Sequence, residues 1–267
     1  MDNSSNQFGN FDENSYGLIP KATFKNPIAM TDTLAFNGQQ ANIIVGDFNG
    51  DGKDDVIRQE FGNSVDGYRD TEVYLSQGDG IFANPIAMTD TLAFNGQQAN
   101  IIVGDFNGDG KDDLIRQEFG SSVDGYRDTE VYLSQGDGLF ANPIAMTDTL
   151  AFNGQQANII VGDFNGDGKD DLIRQEFGSS VDGYRDTEVY LSNSDGLFAN
   201  PIAMTDTLAF NGQQANIIVG DFNGDGKDDL IRQEFGSSAD GYRDTEVYLS
   251  NGDGTFANPL PMTDSGF

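Results

Sequence analysis

The sequence predicts an all-β protein, a β-propeller built from four 58-residue, four-stranded blades. Three observations carry this. The string GDFNGDGKDD begins at Gly46, Gly104, Gly162 and Gly220, always 58 residues apart. Within each period, short β-branched or alternating apolar runs are separated by Gly- and Asp-rich turns, and no segment shows a 3.6-residue apolar period. A unit of this size cannot bury its own apolar face, so its neighbours must cover it, which is the logic of propellers and repeat arrays.

The units run 27–84, 85–142, 143–200 and 201–258, and together they make one propeller domain. Copies two and three differ only where Gln135 and Gly136 become Asn193 and Ser194. Residues 1–26 read as an N-terminal partial repeat that helps to close the body, and 259–267 as a C-terminal partial repeat. Assembly of two chains into a larger ring is the alternative to closure by one chain.

In the first unit, Ala41-Asn42-Ile43-Ile44-Val45 is a β-branched run and predicts the first strand. An acidic loop follows, and then 56–61 predicts the second strand. A polar stretch over 62–70 leads to 71–76, where apolar residues alternate as they do in a half-buried strand. Gln77-Gly78-Asp79-Gly80 is a tight-turn signature, since Gly accepts positive φ. The fourth strand, weaker, falls around Ile81, Phe82, Ile86 and Met88. Pro85 suits an edge there, because it donates nothing to a ladder.

Composition narrows the class of function. The formal net charge is −30, and an acidic surface repels phosphate backbones, so nucleic acid is not an expected partner. Self-repulsion of that size is relieved if counter-ions bind. No apolar run approaches the length of a membrane span, so membrane insertion is not expected. Residues 1–5 have neither basic residues nor an apolar stretch, so no signal peptide is read in this chain. The expectation is a soluble protein whose compartment, secreted or surface-associated, stays open. The chain has no His and no Cys, which removes the usual bases, nucleophiles and zinc ligands. Carboxylate pairs that could hydrolyse glycosides are already spent on the acidic loops. A non-enzymatic protein is expected.

The acidic loop reads as a site for a hard cation. Counted from Asp47 as position 1, oxygen donors fall at alternate positions: Asp47, Asn49, Asp51, the backbone carbonyl of Lys53, and Asp55. A curled loop turns every second residue inward, and calcium takes six to eight oxygens at about 2.3–2.6 Å. Gly50 and Gly52 let the chain fold tightly, and Asp54 is expected to point outward. The counterparts are Asp105, Asn107, Asp109, Lys111 and Asp113; Asp163, Asn165, Asp167, Lys169 and Asp171; and Asp221, Asn223, Asp225, Lys227 and Asp229. An EF-hand begins alike, but it needs Glu at position 12, and Arg58, Arg116, Arg174 and Arg232 stand there between β-branched flanks. About four Ca2+ per chain are expected, as staples between strands.

The run VGDFNGDGKDD at 45–55, followed by a Gly-Asp-Gly-x-Phe turn at 78–82, closely resembles the FG-GAP/VCBS repeat. That repeat forms the blades of integrin α-subunit heads and of several calcium-containing propeller lectins. The resemblance covers 27–258 and implies a propeller with a calcium loop between the first two strands of each blade, its ligands falling on the residues just named. Two features depart from the family pattern. Family propellers commonly carry more than four blades, and the Gly-Ala-Pro element is missing, although Phe61-Gly62 is present.

Each unit also has a long polar connection with an aromatic at its centre. Aromatic faces, carboxylates and guanidinium groups are the chemistry that binds sugars. Arg58, Glu60, Tyr68, Arg69 and Asp70 supply it in the first unit. Arg116, Glu118, Tyr126, Arg127 and Asp128 follow in the second. The third has Arg174, Glu176, Tyr184, Arg185 and Asp186, and the fourth Arg232, Glu234, Tyr242, Arg243 and Asp244. The competing reading pairs Arg58 with Glu60 or Asp70 between blades and packs Tyr68 as filler. Four equivalent weak sites gain from a surface that presents many glycans. The sequence therefore predicts a multivalent carbohydrate-binding protein, a lectin whose partners are glycans or glycoproteins. A protein-binding adhesion module of integrin-head type, or a ligand-free repeat scaffold, is the alternative.

Overall fold

The computed structural model describes residues 41–60, 71–88, 99–118, 129–146, 157–176, 187–204, 215–234 and 245–262. The described residues form sixteen strands and no helix, in four antiparallel sheets of four. The first sheet contains β1 (Ala41–Gly46), β2 (Asp55–Glu60), β3 (Thr71–Tyr74) and β4 (Ile86–Ala87), in that spatial order. The second contains β5 (Ala99–Gly104), β6 (Asp113–Glu118), β7 (Thr129–Tyr132) and β8 (Ile144–Ala145). The third has β9 (Ala157–Gly162), β10 (Asp171–Glu176), β11 (Thr187–Tyr190) and β12 (Ile202–Ala203). The fourth has β13 (Ala215–Gly220), β14 (Asp229–Glu234), β15 (Thr245–Tyr248) and β16 (Leu260–Pro261). Each sheet is a meander that keeps chain order, as a propeller blade does.

The first strands stand side by side, β1 by β5, β5 by β9 and β9 by β13, so the blades fan out from a shared axis. The fourth strand is shorter than its sequence suggests. Phe82 makes only a single bridge to Ser76, and regular pairing resumes after Pro85, at Ile86 opposite Val73. Pro85 has no N–H to give, so the ladder breaks around it.

Period-two alternation gives each blade two working faces. In the first blade Ile57 pairs with Val73, and both point forward to the second blade. Val56 opposite Tyr74, and Arg58 opposite Glu72, point backward. The core accordingly lies between blades. Phe48, Ile57, Val73 and Met88 of the first blade pack on Leu114, Tyr132 and Phe140 of the second. The same set recurs between the second and third blades, and again between the third and fourth. At each of these junctions two Phe rings meet edge to face at 5.7 Å, as Phe48 meets Phe140.

Candidate functional site: acidic loops, blade junctions and a buried arginine

The acidic loop joins β1 to β2 and is closed by its own side chains. Asp47 Oδ1 accepts the N–H groups of Gly50 at 2.8 Å and Asp51 at 3.1 Å, and Oδ2 accepts that of Gly52 at 2.7 Å. Asn49 Oδ1 accepts the Asp51 N–H at 2.9 Å, and Asp51 Oδ1 that of Lys53 at 3.0 Å. These are the Asx-type turns that short polar side chains make, and Gly50 and Gly52 hold φ of 73° and 80° within them. The exposed Lys53 ammonium sits 2.5 Å from Asp51 Oδ2 and holds that carboxyl below the usual range. The bonds around Asp47 recur around Asp105, Asp163 and Asp221.

Asp55 behaves differently from the rest of the loop. Its side chain is buried, and Oδ1 accepts the Ser76 N–H at 2.7 Å, tying the start of β2 to the turn after β3. Burial pushes its carboxyl up, and the nearby Asp51 and Asp47 carboxylates add to the rise. For Asp113 and Asp171 the same causes, burial first, reach about 7. A carboxyl whose folded pKa is raised loses stability as pH climbs from the ordinary carboxylate range to that value. A divalent cation beside it reverses that logic, because it favours the ionised form.

The donor set Asp47, Asn49, Asp51, Lys53 carbonyl and Asp55 therefore suits calcium in kind: hard oxygens on a tight loop over a buried carboxyl. As they stand, among the described residues, no three carboxylates gather closely enough to grip an ion. Asp51 is engaged by Lys53 and Asp47 by amides of its own loop. The exposed Lys53–Asp51 pair is a weak competitor for a bound ion.

The eighth loop position does not simply face solvent, as the alternation suggests. Asp112, the counterpart of Asp54, turns to the preceding blade. Its Oδ2 accepts the Asp47 N–H at 2.7 Å, and its own N–H donates to the Asp47 carbonyl at 2.9 Å. Asp170 does this for Asp105, and Asp228 for Asp163. Only Asp54 itself is exposed. Ser134 and Ser250 add a second link, each donating its hydroxyl at 2.5 Å to the carbonyl of Phe48 or Phe164 in an earlier blade. Sequence reasoning missed these clasps, although the spacing of 65 residues, one period plus seven, is a junction signature.

Arg58 is also placed differently from the expectation. The residue is 4% exposed, and Nη1 donates to Glu72 Oε2 at 3.2 Å. Tyr74 donates its hydroxyl to the same oxygen at 2.8 Å, and its phenol is pushed up by burial and by Glu72. Arg116–Glu130–Tyr132, Arg174–Glu188–Tyr190 and Arg232–Glu246–Tyr248 repeat the triad. The binding role expected of Arg58, Arg116, Arg174 and Arg232 is corrected here. These guanidinium groups are interior, because two strands in register set each of them opposite a glutamate of its own blade. Arg58 thus pairs with Glu72, while the Glu60 side chain and Asp70 of the rival pairing lie outside the described residues.

The remaining binding candidates lie at or past the far end of the blade. Glu60, Glu118, Glu176 and Glu234 end the second strands. Tyr68, Arg69, Asp70, Tyr126, Arg127, Asp128, Tyr184, Arg185, Asp186, Tyr242, Arg243 and Asp244 lie outside the described residues. The segment that carries Tyr68 leaves β2 and enters β3 at the end where Gln59 pairs with Thr71, opposite the acidic loop. A six-residue strand puts about 20 Å between the two ends.

Residues 47–115 match the FG-GAP-like repeat family, and they span one full period from one acidic loop into the next. The loop string inside that match recurs at Gly162 and Gly220. Among solved structures, an Agrocybe aegerita lectin that recognises non-reducing terminal N-acetylglucosamine is similar at 19% identity. That likeness covers 86% of this chain and 68% of the lectin, with a TM-score of 0.48. Rhamnogalacturonan lyase PL11 of Bacillus licheniformis is similar at 16% identity over 78% of this chain and 46% of its own, with a TM-score of 0.42. The V. cholerae biofilm matrix protein Bap1 is similar at 15% identity over 88% of this chain and 42% of its own, with a TM-score of 0.31. The chain thus spans less than half the length of the last two. No curated protein matches it. Among the described residues, no helix is long and apolar enough to cross a membrane.

Proposed function

We propose that this chain is a non-enzymatic, multivalent carbohydrate-binding protein, with one site on the β2–β3 connection of each repeat. One observation carries the reading: the same Tyr, Arg and Asp recur in four connections that leave four successive blades at the same end. An aromatic face takes the C–H surface of a sugar ring, while the carboxylate and guanidinium take vicinal hydroxyls. Weak, equivalent sites on one rigid array bind a glycan-coated surface far more tightly than a single sugar. The absence of His and Cys from the whole sequence supports recognition over catalysis.

Calcium enters this reading as a staple. Asp47, Asn49, Asp51, the Lys53 carbonyl, Asp55 and their counterparts would hold it, about four ions per chain, at the blade end away from the sugar. The ion would neutralise buried carboxyl groups and fix the loop between the first two strands. It does not bridge to the glycan.

The test is a glycan array with red-cell agglutination, run on the wild type and on a variant carrying Tyr68→Ala, Tyr126→Ala, Tyr184→Ala and Tyr242→Ala. The wild type is expected to bind and agglutinate, with inhibition by free sugar. The variant is expected to lose both activities while keeping its circular dichroism. A wild type that binds no glycan on the array defeats the proposal.

A further inference from the structure

The junction between blades is directional, and among the described residues half of it is left over at each end of the array. Forward residues of one blade always meet backward residues of the next. In the first three blades the forward Phe48, Phe106 and Phe164 are wholly buried, whereas Phe222 of the fourth is 46% exposed. Ile218 and Met262 on the same face are 50% and 49% exposed, against 1–4% for Met88, Met146 and Met204. At the other end Ile43 and Val45 are 46% and 53% exposed, while Ile101 and Val103 pack into the first junction. Scattered apolar side chains on a surface need no explanation, but these are the same positions that pack at every internal junction.

The polar halves match as well. Asp112, Asp170 and Asp228 each cap the loop of the blade before. Among the described residues Asp54 has no blade before it and is exposed, and the loop of Asp221 has none after it and is exposed. Gly104 shows how closely the two sides fit: a Cβ there would come within 2.8 Å of Asp170 Oδ2 and 3.0 Å of Val161. Gly220 has only Phe222 nearby, at 3.3 Å.

We propose that a second copy of this chain completes the junction, its Ile43, Val45 and Asp54 seating on Gly220, Ile218 and Phe222 of the first. The two ends of one chain do not cover each other, since both are exposed in the same molecule. A head-to-tail contact closes when its rotation allows, and two identical contacts related by a two-fold axis close two chains into one body of eight blades. That number lies within the range of known propellers. The contact continues an interface already present three times, so its chemistry needs no new partner. It is independent of the sugar reading, because it uses none of the β2–β3 connections.

The experiment is light-scattering mass of the full chain, with calcium, across a range of concentrations. The wild type is expected at twice the 28.8 kDa chain mass. Phe222→Asp alone and Val45→Asp alone are each expected to run at the single-chain mass with unchanged circular dichroism, because both positions are exposed in the isolated chain. Gly220→Ala, which adds one methyl and no charge, is expected to weaken association at least tenfold. Mixing the two Asp variants is expected to restore the doubled mass, since one intact junction survives between unlike chains. A wild type that stays single at every concentration, a polymer that grows without limit, or a mixture that remains single overturns the proposal.

Discussion

The carboxylate of Asp112 accepts a hydrogen bond of 2.7 Å from the backbone N–H of Asp47, 65 residues earlier, and so joins two blades at the base of a loop. Asp112 N–H donates back to the Asp47 carbonyl at 2.9 Å. The pair therefore acts like a short piece of ladder between sheets that share no strand. Burial pushes the Asp112 carboxyl up, and the Asp47 amide pulls it partly back down. This clasp and the Phe48–Phe140 edge contact hold the same junction from its polar and apolar sides.

Removing one clasp loosens one junction. Asp170→Ala leaves the Asp105 N–H without its 2.8 Å acceptor in a partly buried position. The loss of an ionised acceptor there is expected to cost about 1–3 kcal/mol. Asp54→Ala, in chains dilute enough to be single, is expected to change stability by no more than about 0.5 kcal/mol. Urea midpoints of the two variants check this, and equal midpoints would show that the clasp contributes nothing.

Breaking a buried triad is expected to cost more. Arg174→Ala strands Glu188 in the interior with Tyr190 still pointing at it. Removing one partner of a buried ion pair costs about 3–5 kcal/mol, chiefly through the charge left behind. The double variant Arg174→Met with Glu188→Leu removes both charges and is expected to recover most of that loss. Denaturant titrations of the single and double variants check it. A double variant no better than the single would point to lost packing in place of stranded charge.

Chelation tests the staples. If each loop holds calcium, the melting temperature is expected to fall in EDTA and to recover when calcium is restored. One site at a hundred times its dissociation constant adds about 2.7 kcal/mol. Asp113→Asn with Asp171→Asn is expected to lower the bound ion measured by atomic absorption from about four per chain to about two, one for each loop altered. Melts that are identical with and without EDTA would remove the ion from the account.

Much of the blade was legible in the chain. The β-branched run before Gly46 became β1, and alternation over 71–76 became β3, shortened by two residues where Leu75 leaves the regular ladder to bond Ala83. Pro85 marked an edge, and β4 is the edge. Arg58 was harder, because in a lone strand it looks like any polar residue facing out. Only the register that sets it against Glu72 buries it. The clasping aspartates were hidden for a similar reason: a loop read in isolation has no blade behind it. Identical residues then take different surroundings, so Phe164 is sealed and Phe222 is open although their neighbours in sequence agree.

The directional junction has a consequence for how such chains change length. Among the described residues each blade meets the one before and the one after, through the same aspartate clasp and Phe–Phe edge contact at every step. Inserting or deleting 58 residues in register would leave all the remaining steps untouched and present the same two outer surfaces to solvent. Size in this architecture is a matter of counting, and a shorter or longer relative would be born already able to fold.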